Sequence, residues 1–369
     1  MAQHSCGALT TTPQHYFTRV DGVRRNFCNV TLNRDLPALP QARESHGTLS
    51  MLDYHMRPMR KSDLPAVNRI LTKSFTAARI SDGFKKTHVS LCHLSFLEMY
   101  LAAFPAGCFV LENEHGLIGY TFSRLWGEVA WIGPLSVIPA HQNKKLGQQL
   151  MVNTIETLKR AGAKVIGLET MPRSMRNIGF YSKLGFIPQQ LTLDLIKPVP
   201  RVPEEPFPAD YEVLFYHHAD PAEKILLIAA AEKLARRIDP CLSIRTEIEV
   251  TGHFHYGDTM CVRRENELLA CFVVHTKTYA EDEVCRYMKI VVSLMETALS
   301  IAELLPYFFM WAGRENLDIL SFRTPTRYAR AYTELINAGF EVFHSELRMT
   351  LDGYEEVADP QRFYLCKWE

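Results

Sequence analysis

Leu135-Ser-Val-Ile-Pro139-Ala-His-Gln-Asn-Lys-Lys145-Leu-Gly-Gln-Gln-Leu150 is the stretch on which the fold turns. It reads as a short apolar strand, a break at Pro139, a polar basic turn and a helix from about Lys145. Leu146, Leu150, Ile155 and Leu158 recur at helical spacing and run on to Ala161-Gly162. A strand that feeds a helix N-terminus through a turn is an anion site. The first amides of the helix have no internal acceptor, and the dipole there is positive. Lys144 and Lys145 add charge, and Gly147 admits a close neighbour. A phosphate-bearing ligand fits. An ordinary turn with solvated lysines has the same composition, so the physics leaves both readings open.

Outward from this loop the pattern is mixed α/β. Downstream, Lys164 to Thr170 is a buried-type strand, and a helix then carries Tyr181 and ends at Gly185-Phe186. Upstream, Tyr54 to Arg60 reads as a strand. Asp63 caps a helix whose buried face is Leu64, Val67, Ile70, Leu71 and Phe75. A second helical region covers about Ser90 to Phe104. Strands 108–112 and 117–124 form a hairpin over Asn113-Glu-His-Gly116, and Val129 to Val137 delivers the chain to the loop.

Val137-x-Pro139-x-x-Gln142-x-x-Lys145-x-Gly147-x-x-Leu150 resembles the coenzyme A pyrophosphate loop of the GNAT acetyltransferase superfamily, with lysine 145 where that pattern usually has glycine. Tyr181-Ser-Lys-Leu-Gly-Phe186 resembles the Tyr-x-x-x-Gly-Phe element of the same superfamily. The resemblance covers about residues 54 to 197. It implies an acetyl-CoA-dependent N-acetyltransferase acting by direct attack in a ternary complex. Leu135, Ser136 and Val137 would then pair with the pantetheine, and Gln142, Asn143, Lys144, Lys145, Leu146, Gly147 and Gln148 would cradle the pyrophosphate. Asn177 is a further cofactor contact, although the family's asparagine commonly falls where this chain has Ser174. Tyr181 is implied as the general acid for the thiolate. Glu128 and Glu169 are the candidate bases for the amine, and His141 borders the loop. A non-catalytic acyl-CoA-binding or protein-interaction module is the alternative.

The 13 residues of 198–210 contain five of the chain's 20 prolines and read as a stiff linker. Residues 1–50 read as an extension, with a short alternation from Phe27 to Leu32 as a possible strand. The chain thus divides into 1–50, a GNAT domain at 51–197, the linker, and 211–369. That last part repeats the element order of the first. Phe109 against Met260 gives an offset of 151, and Gly185 against Gly339 one of 154. After Val291-Val-Ser-Leu294 the cofactor loop is missing, and the position of Tyr181 falls at Leu335. The second half reads as a degenerate GNAT-like copy, its strands near 341–351 and 361–368 closing its own sheet.

At 369 residues the chain can bury two cores, and 47% hydrophobic with 22% charged residues is ordinary for a globular protein. Basic and acidic residues balance at 41 each, which gives no case for a nucleic-acid or membrane partner. The expected acceptor is the amine of a small molecule or peptide. The nine cysteines form no Cys-x-x-Cys pair, and no secretion signal is read. A reducing cytoplasm and the absence of a bound metal are the expectations.

Overall fold

The computed structural model describes residues 54–200 and 211–356, with the backbone of 363–366. The expected extension and most of the Pro-rich linker lie outside the described residues. In the first half the order is β1 (His55–Pro58), α1 (Leu64–Ser81), α2 (Leu94–Ala103), β2 (Phe109–Asn113), β3 (Gly116–Trp126), β4 (Val129–Val137), α3 (Leu146–Arg160), β5 (Val165–Thr170), α4 (Met175–Ser182) and β6 (Phe186–Pro198). The second half repeats it. There β7 (Glu212–Phe215), α5 (Pro221–Ile238), α6 (Arg245–His253), β8 (Gly257–Arg264) and β9 (Glu267–His275) come first. Then follow β10 (Tyr287–Met295), α7 (Ile301–Arg314), β11 (Ile319–Pro325), α8 (Ala329–Asn337), β12 (Glu341–Leu351) and β13 (Phe363–Cys366). Helix α6 has no counterpart in the sequence reading.

Local chemistry explains the ends. Helix α3 buries Leu146, Leu150, Ile155 and Leu158, the stripe that predicted it. Asp63 precedes α1 without capping it by side chain; its carboxylate binds Arg57 at 2.7 Å and the amide of Arg60 at 2.8 Å instead. Asp220 does cap α5, accepting from Ala222 and Glu223.

All strands join one mixed, mostly antiparallel sheet in the order β1-β2-β3-β4-β5-β12-β6-β11-β10-β9-β8-β7, with β13 paired to β10. Among the described residues only β4/β5 and β10/β11 run parallel. The order reads the same from both ends, each first-half strand matched by its second-half equivalent. The expectation that each half closes its own sheet is corrected at the centre. Strand β12 lies between β5 and β6, and β6 lies between β12 and β11. The halves have exchanged their last long strands. An alternating strand looks the same whichever neighbour it pairs with, so the sequence carried no sign of this.

Helices flank both faces. On one face α1, α2, α5 and α6 share a continuous core that includes Tyr120, Phe122, Trp126, Trp131, Leu234 and Ile248. On the other face α3 and α4 pack over the first half, and α7 and α8 over the second. A buried ion pair, Arg124 of β3 to Glu247 of α6 at 2.8 Å, crosses between the halves. No described helix is long and apolar enough to cross a membrane.

Candidate active site

The site begins where β4 and β5 part. They pair in parallel at Val129–Val165, Ala130–Ile166 and Trp131–Gly167, and no further. The indole of Trp131 fills the space over Gly167: a Cβ there would meet the ring at 2.2 Å. Beyond this point β4 bulges at Gly133-Pro134 and runs on beside β3 alone. Ile138 donates to Ile118, and Ser136 stands opposite Tyr120. Ladder alternation therefore turns the amides of Leu135 and Val137 away from β3, into the gap, and keeps the backbone of Ser136 on β3. The carbonyl of Val137 accepts from the side chain of Gln142 at 2.9 Å, which ties the following loop to the strand end.

The loop leaves a row of amides unused. Gln149 makes the first bond of α3, to the carbonyl of Lys145. Among the described residues no acceptor faces the amides of Asn143, Lys144, Lys145, Leu146, Gly147 or Gln148. Lys145 holds φ +61° and Asn143 φ +63°. Left-handed backbone costs a non-glycine residue roughly 1–2 kcal/mol, and asparagine tolerates it better than lysine. The expected departure at Lys145 thus falls on a residue that needs glycine's freedom, and strain of this kind collects at functional loops. The Lys144 ammonium reaches the hydroxyl of Tyr54 at 3.2 Å, and Arg176 of α4 reaches Gln142 at 3.2 Å. Gly147 faces Phe180 with room for an ordinary contact.

Tyr181 stands in the last turn of α4, its ring 5.2 Å from that of Phe180 and 6.2 Å from that of Phe186. It shares a cluster with Leu135 of β4 and Leu347 of β12, so it bridges the gap from below. Its hydroxyl has no partner among the described residues. Burial first, then the charge of Glu346, pushes its pKa up to about 12. Asn177, one turn earlier, donates to the hydroxyl of Thr170 at 3.4 Å; it fastens α4 to the end of β5.

Of the two candidate bases, Glu128 lies away from the gap and Glu169 stands beside it, at the end of β5. Glu128 immediately precedes β4, at the opposite end from the loop, about 23 Å from Leu135 at roughly 3.3 Å per residue. It is half-exposed and paired with Lys164 at 2.8 Å, which lowers its pKa. Glu169 is buried within a polar cluster. Its carboxylate binds Arg323 at 2.6 Å, Arg348 at 2.9 Å and Thr192 at 2.6 Å. Burial alone would raise its pKa, but the two arginines overturn that and hold it low. A carboxylate held ionised between two arginines, with both oxygens engaged, is a weak base towards an amine. Around it Arg348 binds Glu356 at 2.5 Å, and Asp194 stands beside Arg323.

Two side chains at the gap were not singled out in the sequence. Tyr120 of β3 is fully buried, with a hydroxyl that meets no partner among the described residues. Glu346 of β12 binds His344 at 2.8 Å. Among the described residues no cluster of histidine, cysteine, aspartate and glutamate could hold a metal ion.

The second half has lost the corresponding gap. Strand β10 pairs with β11 only as far as Ile290–Phe322. From Val292 to Met295 it pairs with β13 instead. The edge that β4 leaves open is closed on β10 by the chain's own C-terminal strand. Leu335, at the position of Tyr181, is buried in α8.

Residues 65–186 match the acetyltransferase (GNAT) family model. No curated protein matches the chain in sequence. Among solved structures, a protein from Pyrococcus horikoshii aligns over 88% of this chain and 99% of its own at 16% identity and TM-score 0.60. A GCN5-related N-acetyltransferase from Sphaerobacter thermophilus aligns over 83% and 98% at 13% identity and TM-score 0.55. A tandem GNAT protein from the clavulanic acid biosynthesis pathway aligns over 83% and 100% at 11% identity and TM-score 0.53. These likenesses concern the fold, and they extend over both halves. Residues 65–186 thus carry the match to the GNAT family, and the two-half fold is like that of a tandem GNAT protein.

Proposed function

We propose that the chain is an acyl-CoA-dependent N-acyltransferase with acetyl-CoA as donor, an amine of a small molecule or peptide as acceptor, and one working site per chain. In this reading 51–197 is the catalytic domain, 198–210 a linker, and 211–369 a half that kept the fold without a donor site. The observation that carries it is the row of six unpartnered amides from Asn143 to Gln148 beside the unpaired edge of β4. A pyrophosphate supplies the acceptors that the amides lack. A pantetheine arm supplies the amide groups that an open strand edge lacks. The donors of Leu135 and Val137 face that arm, and one of them polarises the thioester carbonyl.

Tyr181 supports the leaving sulfur. Burial pushes its phenol up to about 12, above an ordinary thiol at about 8.5, so it keeps its proton and donates it as a hydrogen bond. Its part is a hydrogen bond to the departing sulfur. Asn177 acts through the placement of α4. Neither Glu128 nor Glu169 serves as base here, for the reasons of distance and pairing given above.

The test is thermal melting with acetyl-CoA, followed by detection of free thiol over a panel of amines. Donor at 100 times its Kd stabilises a fold by about 2.7 kcal/mol. A chain that acetyl-CoA leaves at the same Tm refutes the reading. A shift without thiol release over the panel favours a non-catalytic acyl-CoA-binding module.

A further inference from the structure

The exchanged strand places second-half side chains at the first-half gap. Leu347 of β12 pairs with Thr170, the last residue of β5. Glu346 is therefore the first residue of β12 beyond the end of β5. Counting from Trp131 opposite Gly167, and allowing for the bulge at Gly133-Pro134, brings Leu135 to Val137 level with Ser345 to Leu347 across the gap. Glu346 faces the same side as Arg348, two residues on, and so the side of Tyr120 and Trp131. One wall then presents the orphaned hydroxyl of Tyr120, the other presents Glu346 with His344, and the hydroxyl of Tyr181 lies beneath.

We propose that His344, oriented by Glu346, is the base that takes the proton from the acceptor amine, so that the catalytic set is assembled from both halves of the chain. This rests on the acyl-CoA reading above. In the neutral ring the nitrogen facing Glu346 carries the proton, and Nδ1 is left to accept. The C–N bond forms as nitrogen gives a proton to Nδ1. The C–S bond then breaks, sulfur leaves with the pair, and the proton reaches the thiolate through solvent. His344 is a catalytic residue in this scheme and Glu346 a positioning residue. The side chain of His344 remains 38% exposed, so an incoming amine can reach it.

The electrostatics agree. The hydrogen bond to Glu346 comes first among the causes that raise the pKa of His344. Burial opposes it, Glu346 and Asp194 add to it by charge, and Arg323 subtracts. Tyr181 faces Glu346 from α4. A base poised above the ordinary histidine value suits work near neutral pH.

The experiment is histidine-ring NMR on the full chain, with His344→Gln to assign the signal, titrated with pH and with acetyl-CoA. The His344 ring signal should move when acetyl-CoA is added, and its pKa should fall in Glu346→Gln. On any amine the chain turns over, His344→Gln should lower kcat about 100-fold with KM little changed. Glu346→Gln should move the acid limb of the kcat/KM profile to lower pH, and Glu346→Asp should restore part of it. A merely structural contact would leave that limb in place. A melting shift with acetyl-CoA but a silent His344 signal overturns this inference and spares the acyl-CoA reading. Absence of any melting shift overturns both.

Discussion

The guanidinium of Arg348 lies over the indole of Trp131, 4.0 Å from the ring centroid, although one residue belongs to β12 and the other to β4. Trp131 in turn covers Gly167, where β4 and β5 separate. The fork that opens the gap is thus propped by an aromatic ring from the first half and capped by a cation from the second. Arg348 also binds Glu169 and Glu356, which makes it the joint of the central polar cluster.

Removing one charge from that cluster should be costly. Glu169, Arg323 and Arg348 are each at most 6% exposed by side chain. Breaking a buried ion pair from one side typically costs about 3–5 kcal/mol, because the partner stays buried and uncompensated. Glu169→Gln should lose stability on that scale in urea denaturation. The folded-state pKa of Glu169 lies below its ordinary 4.5. Its contribution is therefore full above that value and is lost as pH falls through the depressed one. The wild type should lose stability in acid more steeply than the variant.

Lys145 sits in backbone that disfavours its side chain. Its φ of +61° suits glycine. Lys145→Gly should relieve strain and raise stability by up to about 1 kcal/mol, the greater chain entropy of unfolded glycine taking back part of the gain. Differential scanning calorimetry with and without acetyl-CoA measures both the stability and whether the loop still takes the donor. A loss of stability would contradict the left-handed geometry.

Tyr181→Phe removes a hydroxyl with no partner among the described residues, so its fold should stand and the acetyl-CoA melting shift should survive. Turnover should fall by about 10- to 100-fold, the scale of one hydrogen bond to a transition-state charge. Unimpaired thiol release from this variant removes Tyr181 from the chemistry.

Isothermal titration should find one acetyl-CoA per chain. Strand β13 occupies on β10 the edge that β4 leaves open. Two equivalents bound would show that the C-terminal strand yields its place.

The loop and the two motifs were readable because their signals are local. A helical stripe such as Leu146, Leu150, Ile155 and Leu158 and a glycine after a helix depend on neighbours in the chain. The strand pairing of β12 was not local. His344-x-Glu346 does put two polar groups on one face of a strand, but nothing in the pattern says which gap that strand borders. Glu169 was legible as a carboxylate at a strand end; its partners Arg323 and Arg348 come from more than 150 residues away. Tyr120 left no trace, since a tyrosine in an apolar strand reads as core.

The crossing of β6 and β12 makes the two copies hostages to each other. A fragment ending at residue 198 would carry a ribbon shaped for a neighbour it no longer has, and a seam beside β5 with nothing to fill it. Gene duplication ordinarily frees one copy to drift, be lost or be shuffled elsewhere. Here β12 of the second half fills a seam in the first, so change in that strand is confined to places that leave the seam filled.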